Sequence, residues 1–168
     1  MADNIKFEML ADSIKSINLK AGNATRSAVN QLMTLRNWAI GYYIVEYEQR
    51  GSDRAEYGTR LLKTLEEQIA EKGLNSTLFK WCRQFYILYP QIGATVSHQF
   101  ITKPDVLVNN LSFSHIREIM VIDDAFERFF YETECIKCNW SVRELRRQIA
   151  SSLFERLLLS DGETNKQK

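Results

Sequence analysis

Proline and histidine each occur only twice in 168 residues, glycine seven times and cysteine three times. So few chain breakers leave little room for a turn-rich β architecture, and the expected fold class is all-α or mainly α. The cysteines, Cys82, Cys135 and Cys138, cannot close an even disulfide framework. Cys135 and Cys138 form a lone C-x-x-C. With only Cys82, His98 and His115 besides, no second paired spacing completes the four ligands of a structural zinc site. No βαβ pattern surrounds the pair as in a thioredoxin-like centre, so small buried or half-buried thiols are the simpler account. No metal and no other cofactor is expected.

The chain also lacks a nucleotide-binding glycine loop and an H-E-x-x-H motif, and no Asp/Glu-x-Lys follows Pro104-Asp105 as a nuclease centre would require. Catalysis by this polypeptide alone is therefore not expected. MADNIKFEML has neither the basic start nor the apolar run of a signal peptide, and nothing approaches the roughly 18 to 20 apolar residues of a membrane span. The expectation is a cytoplasmic protein with no membrane partner. A formal net charge of +1 gives no overall pull on nucleic acid, so any such reading must rest on where the cations sit.

What is present is apolar content: 45% hydrophobic residues, 11% of the chain aromatic, excludes a wholly disordered polypeptide. The length suits one domain, read as residues 1–159, with a polar tail at 160–168 expected to be disordered.

The organising stretch is Tyr57 to Pro90. Leu61, Leu62, Leu65 and Ile69 recur at helical spacing, Gly73 supplies a stop, and Asn75 or Ser76 can cap a second helix. That helix carries Leu78, Trp81, Cys82, Phe85 and Leu88 or Tyr89 on one face, and Thr77, Lys80, Arg83 and Gln84 on another. Two helices around a short glycine turn, the second with basic and amide side chains free, have the layout of a helix-turn-helix reader. An ordinary αα-hairpin is the plainer alternative, since bulky Ile69 stands where such motifs place a small residue.

Elsewhere, Ile5 to Lys20 reads as an amphipathic helix broken at Ala21-Gly22-Asn23, and Ala24 to Gln49 as a second helix. On that second helix Arg26, Asn30, Thr34, Asn37, Gly41 and Glu48 share a polar side. Arg36 falls within the apolar remainder, where it needs a carboxylate from the cluster Asp123, Asp124, Glu132 and Glu134, or else lines a cleft for phosphate. From 91 to 110 the helical pattern lapses. A β-hairpin through Val96–Ile101 and Val106–Val108, which would be the wing of a winged helix, competes with a plain loop. Ser114 can cap a helix through Ile122, Asp123 and Asp124 mark the next start, and Phe126, Phe129 and Phe130 read as core. Ser141 and Glu144 form a capping box for a last helix to about Leu159. Its Arg143, Arg146, Arg147 and Arg156 are the largest local excess of positive charge.

Five segments, RNWAIGYYIVEYEQRG (36–51), RAEYGTRLL (54–62), LSFSHIREIM (111–120), FYETECIKCNWSVRELRRQI (130–149) and LFERLLLS (153–160), resemble the N-terminal domain of the YhcG family. In that family the domain precedes a PD-(D/E)xK-type nuclease domain. The resemblance covers most of the chain from about residue 25. It implies a helical, winged-helix-like DNA-binding module attached to a nuclease, in DNA processing or defence against mobile elements. The chain ends where the nuclease domain would begin, so no nuclease activity carries over, and 91–110 is longer than the family pattern.

The functional expectation is a non-catalytic module that binds double-stranded DNA and positions a nuclease in cis or in trans. Lys80, Arg83 and Gln84 would face the groove or backbone, with Ser76 and Thr77 near the helix start. Arg60, Lys63 and Lys103 would meet phosphate, and Arg143 and Arg147 would offer a second basic surface. The rival is a protein-interaction or oligomerisation module, including a homo-oligomer.

Overall fold

In the computed structural model, residues 7–51, 53–93 and 102–164 are described. Their organising element is one long helix, α1, Phe7–Arg50, of 44 residues. The break expected at Ala21-Gly22-Asn23 does not occur. A single glycine without proline costs a helix only about 1 kcal/mol against alanine, and the alanines around it favour continuation. After α1 come α2 (Arg54–Tyr57), a 3₁₀ turn (Gly58–Arg60), α3 (Leu61–Ile69), α4 (Ser76–Leu88), a second 3₁₀ turn (Pro90–Gly93), α5 (Pro104–Asn110), α6 (Phe113–Ile119), α7 (Ala125–Lys137), α8 (Val142–Ala150) and α9 (Leu153–Thr164). The fold is mainly α, with no strand among the described residues.

The face of α1 that enters the core is the small and polar one. Thr34, Asn37, Gly41, Ile44 and Val45 are buried, whereas Val29, Leu32, Met33, Leu35, Tyr42 and Tyr43 are exposed. The expected sides are therefore exchanged, and Gly41 gives the reason. A Cβ built there would lie 2.0 Å from the carbonyl oxygen of Cys82 and 2.6 Å from its carbon. α1 and α4 approach backbone to backbone, and only the stripe without bulk allows that. Arg36 consequently points outward and donates from Nε and Nη2 to Asn37 Oδ1 at 3.1 and 2.8 Å. It has no ion pair with the acidic cluster.

α3 stops at Ala70, which takes the left-handed conformation (φ 50°), three residues before Gly73 (φ 89°). Asn75 caps α4 as expected, its Oδ1 accepting from Leu78 N at 2.8 Å. The second strand of the expected hairpin is helical instead. Pro104 starts α5, where its missing N–H costs nothing, and Leu107 and Val108 are buried at helical spacing. The first strand, Val96–Ile101, lies outside the described residues.

Ser112, not Ser114, caps α6, and His115 completes the box: its Nδ1 accepts from Ser112 N at 3.2 Å. The other ring nitrogen lies 3.0 Å from the carbonyl of Trp140, so Nε2 bears the proton. Burial holds the His115 pKa below its ordinary value.

On α7 the buried residues are Tyr131, Glu132 and Cys135, while Phe126 is about half exposed and Phe129 and Phe130 are half-buried. Asp124 caps this helix through Glu127 N. The last helix divides at Ser151-Ser152, with Ser152 left-handed, and α9 then runs to Thr164, past the tail expected from Ser160. The core formed by these elements contains Phe85, Tyr89, Leu107, Leu111, Ile116, Ile119, Tyr131 and Leu145.

Glu132 is buried in that core. Its two carboxyl oxygens accept from Tyr89 Oη and Thr102 Oγ1, each at 2.5 Å. Burial raises its pKa despite those donors, and burial followed by the neighbouring carboxylate pushes the Tyr89 phenol well up. A carboxyl whose folded pKa is raised contributes stability that is fully present below its unfolded value and lost as pH rises through the folded one.

Two outcomes follow from this packing. Gly41→Ala should cost about 3 kcal/mol or more in urea unfolding, whereas Gly22→Ala, with nothing within 4 Å of the new methyl, should increase helicity and cost nothing. For Glu132→Gln, the difference in unfolding midpoint from the parent protein should grow in the variant's favour as pH rises above about 4.5. Parallel pH profiles would contradict the buried, proton-retaining carboxyl.

Candidate nucleic-acid interface

α4 separates the cations expected to act together. Its Phe79, Cys82 and Phe85 are buried, and desolvation pushes the Cys82 thiol up to about 12, so this sulfur is an inert core group. Thr77 and Lys80 are exposed, and Ser76 and Gln84 half-buried. Arg83 faces α1: its Nε lies 2.7 and 2.9 Å from the two carboxylate oxygens of Glu48. The guanidinium is thus engaged in holding α4 to the long helix. At the start of α4, Ser76 N donates to Glu66 Oε2 at 2.9 Å, which closes the α3–α4 hairpin. The hydrogen bonds from Ser76 hold the Glu66 carboxyl below its usual range.

The remaining expected residues fall in three places. Arg60 and Lys63 are exposed on the α3 side, Lys103 is exposed ahead of α5, and Arg143 and Arg147 are exposed on α8. α8 packs against α6, α7 and α9, so it is not on the α3–α4 hairpin.

One contact that sequence reading missed draws α4 toward α8. Arg117 of α6 lies over the ring of Trp81, its Cζ 4.9 Å from the centroid, a cation–π arrangement. The next residue, Glu118, receives Arg146 of α8 in a two-pronged pair at 2.6 and 3.1 Å. Arg146 holds the Glu118 carboxyl below its ordinary range, and the arginine's own pKa rises. Arg147 reaches Glu144 at 2.6 Å. Lys80, Arg117 and Arg143 have no carboxylate within 4 Å among the described residues. The packed helices α4, α6 and α8 therefore form a band with three cations lacking a close ion pair, of which Arg117 lies against the Trp81 ring and also feels the Glu118 carboxylate. The available signal for Arg117 was its place outside the inward stripe Ile116, Ile119 and Met120; pairing it with Trp81 needs the tertiary fold.

A cleft of about 410 Å³ between α1, α3 and α4 is lined largely by Ile40, Tyr43, Ile44, Leu61, Leu65 and Phe79, with Asp53 its one charged lining residue. An apolar wall with a carboxylate does not suit phosphate. No group of three or more His, Cys, Asp or Glu side chains could hold a metal among the described residues. No helix there is long and apolar enough to cross a membrane.

Residues 13–156 match the DUF1016 N-terminal domain. The chain belongs to that family. The match takes in α4, α6 and α8, so the whole band lies inside the DUF1016 N-terminal domain. The chain is also 30% identical, over 92% of its length, to the protein of Escherichia coli (strain K12) named Putative nuclease YhcG. It spans about half of that relative, 47% of its length. No solved structure matches significantly. The family match and the YhcG relative agree with the resemblance read from the sequence, and the DUF1016 N-terminal domain here is mainly helical in its described part.

The Glu48–Arg83 pair is half-exposed, with side chains 31% and 40% accessible. Glu48→Gln and Arg83→Gln should each cost about 1 kcal/mol in chemical unfolding, and the double variant little more than either alone. Additive losses would contradict a direct pair.

Proposed function

We propose that this domain is a non-catalytic DNA-contacting module of a nuclease-associated protein, holding duplex DNA for a nuclease domain in cis or in trans. The observation that supports it is the Arg117–Trp81 contact, which together with the Glu118–Arg146 pair makes one basic, aromatic band from three helices. In this reading Lys80, Arg117 and Arg143 meet phosphates, and Thr77 and Gln84 add hydrogen bonds from the exposed side of α4. Ser76 belongs to the hairpin closure. Arg146 and Arg147 already have carboxylate partners and reinforce the field, while Arg60, Lys63 and Lys103 contribute long-range attraction from the flanks. Arg83 supports the surface by fixing α4. Phosphate contacts without base reading give shape-tolerant binding, which suits delivery of DNA to a separate active site.

Fluorescence anisotropy with labelled duplex DNA over a salt series tests this. The logarithm of affinity should fall against log salt with a slope of about −3 to −4. A Lys80→Ala/Arg117→Ala/Arg143→Ala variant should bind on the order of 100-fold more weakly at low salt and lose about 3 from that slope. Binding that is unaltered in the triple variant, or absent at low salt, would overturn the proposal.

A further inference from the structure

The cleft between α1, α3 and α4 is separate from the basic band: none of Lys80, Trp81, Arg117 and Arg143 lines it. Its volume of about 410 Å³ falls in the range of preformed small-molecule sites, which are mostly apolar with a few converging polar groups. Burial grades the lining by depth. Ile44, Leu61 and Phe79 are buried and form the floor, Ile40, Tyr47, Tyr57 and Leu65 are half-buried walls, and Tyr43, Asp53 and Gln68 are exposed at the mouth. An occupant is therefore favoured with an apolar body inside and its polar end outward.

The mouth selects the sign of that end. Asp53 carries the one charge in the lining, and no described side chain forms an ion pair with it. The Tyr47 hydroxyl donates to Asp53 Oδ1 at 2.7 Å, which holds the carboxylate in place and leaves Oδ2 without a partner among the described residues. Tyr47 also meets Tyr57 edge to face, with ring centroids 6.2 Å apart. Aromatic faces beside an unpaired carboxylate attract an ammonium or guanidinium group and disfavour a carboxylate or phosphate. Thr64 and Gln68, one turn apart on α3, have no side-chain hydrogen bond among the described residues, so both are available to orient a polar group.

We propose that this cleft binds a small molecule made of a compact apolar body and one amine or guanidinium, the body against Ile44, Leu61 and Phe79 and the cation at Asp53. Size favours a free small molecule over a protein partner. The lining of α1 runs from Ile40 to Tyr47 and that of α3 from Leu61 to Ile69, each about 11 Å of helix. Such a cleft offers far less than the roughly 800 Å² per partner of a stable protein interface, yet it encloses a compact ligand.

Methyl NMR of the labelled protein, titrated with tryptamine, neutral tryptophol and anionic indole-3-propionate, tests this. The three probes share one indole and differ in the charge of the end group. Shifts should be confined to the methyls of Ile40, Ile44, Leu61, Leu65 and Leu74, with those of Leu107 and Ile116 in the core unmoved. Tryptamine should bind with a dissociation constant on the order of 1 mM or below. It should bind about 10-fold more tightly than tryptophol, and indole-3-propionate more weakly than either. Asp53→Asn keeps an acceptor for the Tyr47 hydroxyl and should bring tryptamine to within about threefold of tryptophol, whose own affinity stays the same. Equal binding of the three probes, tryptamine binding unaltered in Asp53→Asn, or cleft methyls unmoved in every titration would overturn the proposal.

Discussion

The close passage of α1 over the backbone of α4 at Gly41 is the constraint on which the other packing depends. A Cβ at that position would fall 2.0 Å from the Cys82 carbonyl oxygen, so the crossing point is fixed to one residue of each helix. Once it is fixed, Trp38 is in reach of the Tyr89 carbonyl at one end and Glu48 in reach of Arg83 at the other. The same contact turns Cys82 and Phe85 inward and leaves Thr77 and Lys80 to water. An interior built around a small residue also explains how α1 carries so many exposed apolar side chains: its bulky faces cannot occupy the crossing.

The surface proposed to meet DNA is a by-product of that arrangement. With Arg83 committed to α1, the cations of the proposed surface are those on α4, α6 and α8, and Arg117 on the Trp81 ring and the Glu118–Arg146 pair link these helices. Such a surface is broad and weakly patterned, suited to holding the backbone rather than reading bases. The buried group Glu132–Tyr89–Thr102 supports it from within, tying the end of α4 to α7 and to the segment before α5.

The helical class, the caps at Asn75, Asp124 and Ser141, and the inward stripe Ile116, Ile119 and Met120 were legible because each depends on neighbours in sequence. What was not legible depends on helix-to-helix distance. Thr34, Asn37 and Gly41 read as a solvent side because composition does not reveal that two backbones touch there. Glu132 read as one of an acidic cluster able to pair with Arg36 because its donors, Tyr89 and Thr102, lie 43 and 30 residues away. The helix α5 was concealed by its short length and the Pro-Asp signal, which serves equally as a turn and as a helix start. At the candidate site, Lys80 and Arg143 were visible as cations off the apolar stripes. Arg83 was also visible, but its Glu48 partner was not, and Arg117 gains its role only from the fold.

The most direct test of a DNA-contacting surface across α4, α6 and α8 is a duplex DNA titration followed through the indole N–H signals of the three tryptophans. Trp81 carries Arg117 on its ring, whereas the Trp38 indole is hydrogen-bonded to the Tyr89 carbonyl. A progressive, saturable shift of the Trp81 signal with Trp38 unmoved is the predicted result. A Trp81 signal that stays fixed while DNA is demonstrably bound would place the contact elsewhere and contradict it.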